Sequence, residues 1–168
     1  MKWTPKYIKQ CEEAEEIQRL WKPKIGDWVQ LRHKTLKKQV ESYLDPLLVV
    51  EDVNKDAVYV YLPKSIYEKT DLKLVNYRVY NPYYNSTNGW WWWVWLPTQS
   101  QLQEIIGIEP YILIEKFNKW FNHTFERLGF RPSPSEWTME QFWLSFCQEV
   151  LYNKIWDEKK EKWVKEDK

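Results

Sequence analysis

The chain has 168 residues, enough for one domain with a substantial core, and such a domain hides roughly two-thirds of its unfolded surface. Its 25 basic and 24 acidic residues leave a net charge of +1, which argues against a general nucleic-acid coat or a dedicated membrane-surface protein. Aromatics reach 18%, with 13 Trp and 11 Tyr against only 4 Gly, so any function is to be sought among flat, rigid side chains.

No apolar run approaches the ~20 residues of a membrane span, and no signal peptide precedes the first helix pattern, so a cytosolic protein is expected. Cys11 and Cys147 fall on apolar helical positions far apart in sequence. They read as reduced core thiols rather than a secreted disulfide framework.

In chain order, Thr4-Pro5 supplies a hydroxyl cap and a proline at the first helical position, predicting a helix over 1–22 that stops before Pro23. Tyr7, Cys11, Ala14, Gln18 and Trp21 share its apolar stripe, while Glu12, Glu13, Glu15 and Glu16 read as a solvated face. A β part is expected over 23–97. Gly26-Asp27 is a turn into a first strand, Trp28 to Arg32. Arg32, His33, Lys34, Lys37 and Lys38 form the one concentrated basic run. Leu47 to Val53 and Ala57 to Leu62 read as two strands joined by a tight turn, and Leu72 to Tyr80 alternates as a further strand. A turn-rich stretch containing Tyr83 and Tyr84 then leads into Trp90-Trp91-Trp92-Trp93-Val94-Trp95-Leu96-Pro97.

That tryptophan segment is the centre of the reading. On a strand, Trp90 and Trp92 face one side and Trp91, Trp93 and Trp95 the other. Large side chains on both faces need cover on both, or a guest on one.

The remainder, 98–168, reads as helical. Thr98 caps a short helix closing at Gly107. Pro110 opens a second, with Ile114, Phe117, Phe121, Phe125 and Leu128 as its stripe. Ser135 or Thr138 caps the last, whose stripe is Met139, Phe142, Trp143, Phe146, Cys147, Val150 and Leu151. The tail from Asp157 either extends this helix or folds back and docks Trp163. The expected fold is therefore α+β in a single domain: an N-terminal helix, a small antiparallel sheet or SH3-like half-barrel of about 4–5 strands, and C-terminal helices on the sheet.

Several short stretches taken together resemble a family of small uncharacterised proteins of bacteriophages and prophages of Gram-positive bacteria. They are Tyr7-Ile8 with Cys11, Ala14 and Ile17-Gln18; Trp21-Lys22-Pro23 with Gly26-Asp27-Trp28; Trp95 to Glu104; Trp156-Asp157; and Lys162-Trp163-Val164. The resemblance implies a protein acting in the cytoplasm of an infected bacterial host, in roles such as disabling a host defence or redirecting a host protein. The family has no catalytic motif to transfer. The tryptophan run, the Asn-rich loop before it and Glu158-Lys159-Lys160-Glu161 depart from its pattern.

The residues themselves offer little to catalysis. His33 and His123 lack sequence-adjacent partners, no metal-ligand spacing occurs, and no phosphate loop or nucleophile elbow is present, so a non-enzymatic protein without a cofactor is expected. The candidate site is Trp90, Trp92, Tyr83 and Tyr84 as stacking surfaces, with Arg78, Arg32, His33, Lys34, Lys37 and Lys38 as charge for phosphates. Such a set suits a signalling nucleotide, a host defence protein or single-stranded nucleic acid. The tryptophan strand would equally serve as a subunit interface of a phage structural or assembly protein.

Overall fold

The computed structural model describes residues 3–33, 47–54, 57–60, 91–128 and 137–166. It is an α+β protein whose contacts group into two compact units, one formed by 1–14 with 97–168, the other by 15–96.

In the second unit, four strands form an open antiparallel sheet in the order β3–β2–β1–β4. They are β1 (Trp28–His33), β2 (Leu47–Asn54), β3 (Ala57–Val60) and β4 (Trp91–Trp95). The described strands close no barrel. Trp28 pairs with Val49 on one side of β1, and Val29 pairs with Trp95 on the other. A register shift between Val50 and Asp52 bulges β2 against β3. The turn into β1 forms because Gly26 accepts a φ of 91°, a left-handed value that glycine adopts without penalty. Its N–H donates to the Val50 carbonyl, and the Asp27 carbonyl accepts from Val50 N–H. The Asp27 carboxylate also accepts from Lys24 N–H at 2.8 Å and from the Trp21 indole at 2.7 Å, which ties the segment before the sheet to its first strand. Val29, Leu48, Val50, Val94, Trp95 and Leu96 are buried.

The N-terminal helix is not continuous. α1 (Pro5–Glu13) and α2 (Glu15–Leu20) are separated at Ala14, whose φ of −87° and ψ of 61° are not helical. No Gly or Pro marks the break. The boundary between the two units falls at the same place: Tyr7, Ile8, Gln10 and Cys11 of α1 are buried within the first unit and Ile17 of α2 within the second. The break is a tertiary requirement that local propensity does not encode. The four glutamates also differ from a fully solvated face. Glu12 and Glu13 are half-buried, with Lys9 Nζ 3.7 and 2.5 Å from their carboxylates.

The first unit is built on α5 (Met139–Tyr152), with α3 (Gln99–Ile106), α4 (Pro110–Leu128) and α1 around it. Thr98 and Thr138 both form full capping boxes, with Gln101 and Gln141 returning a side-chain bond to the cap. Gly107 closes α3 in the left-handed conformation. Every residue of α5 from Gln141 to Gln148 is buried, so the helix is enclosed all round there rather than along one stripe. Met139, Val150 and Leu151, expected on that stripe, lie beyond the enclosed stretch and are exposed. Among the described residues of α4, Leu113 and Phe117 are buried, whereas Ile114 is 48% exposed. Phe117 stacks on Trp143 with centroids 4.0 Å apart and meets Phe146 edge-on, and these contacts set which face of α4 turns inward.

The tail is neither helical nor loose. β5 (Lys154–Asp157) and β6 (Lys162–Lys165) form a hairpin, so the helix extension is replaced by the fold-back. Asn153 stops α5 with a φ of 55°, its side-chain amide donates to the Glu166 carbonyl, and its own carbonyl accepts from Glu166 N–H. At the turn, the Asp157 carboxylate accepts from Lys159 and Lys160 N–H, and the Lys160 N–H above all holds it below the usual carboxylate range. Trp163 is buried, meets Trp156 edge-on and donates its indole N–H to the Gln10 carbonyl at 2.8 Å.

Candidate functional site

Of the sequence-predicted site, the sheet joins three members. β1 and β4 pair so that Arg32 is the register partner of Trp92, and His33 that of Trp91. The basic run and the tryptophan run, 58 positions apart at His33 and Trp91, thus meet across one strand pair. The pairing exists because Trp28 to His33 and Trp91 to Trp95 are both rich in large or branched residues suited to a pleated surface. Trp90, Tyr83, Tyr84, Arg78, Lys34, Lys37 and Lys38 lie outside the described residues, as do the expected strand over 72–80 and the turn at 131–134.

The far end of the tryptophan strand is structural. Trp95 is buried and stacks on Trp21, centroids 6.1 Å apart and planes 8° from parallel. Its backbone is held by Gln18: the Trp95 N–H donates to Gln18 Oε1 at 2.8 Å, and Gln18 Nε2 donates to the Trp95 carbonyl at 2.9 Å. One side chain thereby does what a residue of a neighbouring strand would do. Leu96 N–H donates to the Trp28 carbonyl, completing the ladder. Sequence reasoning listed Gln18 only as a member of an apolar stripe. The signal it missed was the amide itself, a polar group in an apolar row that must find partners.

Trp95 therefore belongs to the core, and the register partners Arg32–Trp92 and His33–Trp91 sit toward the opposite end of the strand pair. This divides the segment into an anchored end and an end where Arg32 and His33 are the register partners of Trp92 and Trp91. Arg and Trp as register partners on one strand pair are the residue types that would accept a phosphate and stack on a base.

Among the described residues, no three His, Cys, Asp or Glu side chains gather as they would around a metal ion. Cys11 and Cys147 are buried free thiols. Burial pushes the Cys147 thiol up to about 12 and the Cys11 thiol higher still, far from a nucleophilic thiolate. Burial likewise raises the Tyr7 phenol, whose hydroxyl donates to the Pro97 carbonyl. Among the described residues, no helix is long and apolar enough to cross a membrane. Comparison of the chain with protein-family models, with curated proteins and with solved structures finds no match.

Proposed function

We propose that this chain is a non-enzymatic binding protein that holds a nucleotide on the β1–β4 strand pair. What supports the reading is one observation: the cross-strand register that sets Arg32 opposite Trp92 and His33 opposite Trp91. Register partners share a face of the sheet, so the Arg32 guanidinium would supply a two-point donor for phosphate oxygens and the Trp92 indole a face for the base, while His33 and Trp91 belong to the other face. Stacking of this kind is worth about 1–3 kcal/mol per base. The phage-like motifs give the reading its setting: the protein would withdraw a signalling nucleotide from a host defence.

Isothermal titration with a panel of cyclic and linear nucleotides tests it. Binding is expected for at least one of them, with Arg32→Ala and Trp92→Ala each weakening it at least tenfold, about 1.4 kcal/mol. No heat with any nucleotide would remove the reading. Binding only to long single strands, falling steeply with salt, would replace it with a nucleic-acid-binding one.

A further inference from the structure

Gln141, Ser145 and Gln148 follow one another at spacings of four and three along α5, and therefore share one face of the helix. All three are buried, and so is Gln10 of α1. Gln141 is satisfied: its Oε1 accepts from Thr138 N–H at 2.9 Å, and its Nε2 donates to Gln10 Oε1 at 3.1 Å. The others are not. Gln10 Nε2, Ser145 Oγ and both Nε2 and Oε1 of Gln148 are buried without a hydrogen-bond partner among the described residues.

We infer that this face of α5, with Gln10 against its first turn, is a binding site for ordered water inside the unit formed by 1–14 and 97–168. A dry amide and hydroxyl at these positions would forfeit a large share of a domain's small net stability. The orphaned atoms include donors (Gln10 Nε2, Gln148 Nε2), an acceptor (Gln148 Oε1) and a hydroxyl that is both. Water both donates and accepts, so it matches a mixed set, whereas an anion or a cation would match only half. Leu144, three residues after Gln141 and four before Gln148, lies on the same face and is buried and apolar. Residues three and four apart on a helix stand about 5–6 Å from each other, a gap that one bridging molecule spans.

The test uses the intact protein, labelled with nitrogen-15. Cross-relaxation between water and the side-chain amide protons of Gln148 and Gln10 is expected, with the sign of a water that tumbles with the protein. In parallel, Gln148→Met is expected to lower the thermal midpoint, because the water loses its partners while Ser145 and Gln10 stay buried. Absence of the cross-peaks in the unaltered protein overturns the inference. So does a Q148M protein that melts at the same or a higher temperature, since that is the behaviour of an amide in a dry core.

Discussion

Gln18 adds two hydrogen bonds to β4's last residue from a single side chain. Gln18→Leu keeps much of the side chain's bulk but leaves the Trp95 N–H and carbonyl without these partners. A loss of about 1–3 kcal/mol is expected, read as a lower urea midpoint with the slope unchanged. The two thiols make a second prediction at this scale. Both titrate higher in the folded chain than the ordinary value of 9.0, because burial opposes the thiolate. Their contribution to stability is therefore fully present below pH about 9 and is lost as pH rises from there towards about 12, where Cys147 ionises in the folded state. In that window the unfolded chain binds fewer protons than the folded one, so stability falls by up to about 1.4 kcal/mol per pH unit for each thiol. Replacing Cys11 and Cys147 with Ala should flatten the alkaline limb of a stability–pH curve. Trapping with a thiol reagent at pH 8 should proceed only through unfolding.

At the scale of elements, what could be read from the residues was what is decided within a turn or two. Thr98 with Gln101, Thr138 with Gln141, Gly107 and Pro110 set their helix ends through contacts three or four residues long, and these ends stand where the residues put them. The break at Ala14 was not legible, because the residue is a good helix former and the reason lies in which unit each half is buried in. The fold-back of the tail with Trp163 docked was one of the two readings the residues offered, and the hairpin at 154–165 is that one. The charges of Lys154, Asp157, Lys162 and Lys165 carry no strand periodicity that would have decided against the helix extension. For the candidate site, the pairing of Arg32 and His33 with the tryptophan run needed strand register, which sequence supplies only when the turns between strands are short. Trp163→Ala should cost about 3–5 kcal/mol by opening a cavity where the hairpin meets α1. Trp163→Phe should cost about 1–3 kcal/mol, chiefly the bond to the Gln10 carbonyl. Chemical denaturation of the two variants separates packing from hydrogen bonding.

At the scale of the whole molecule, the first unit is discontinuous in sequence. Residues 1–14 supply Tyr7, Gln10 and Cys11 to a core otherwise drawn from 97–168. A fragment spanning 97–168 alone would leave the Gln10 partners Gln141 and Trp163 without it. It is expected to show little cooperative melting, and to gain it when a peptide of residues 1–14 is added. A fragment that melts sharply without the peptide would show that α1 is dispensable to that core.

The same arrangement sets an order on biosynthesis. As the ribosome extends the chain, α1 emerges before its partners Gln141 and Trp163, and meets them only after the Thr138-capped helix and the Trp163 hairpin have cleared the exit tunnel. The unit formed by 15–96, by contrast, is contiguous in sequence and can close in the interval. A segment translated ahead of 15–96 thus finds its place only after 97–168 has followed, and its apolar face must be tolerated by the cell in the meantime.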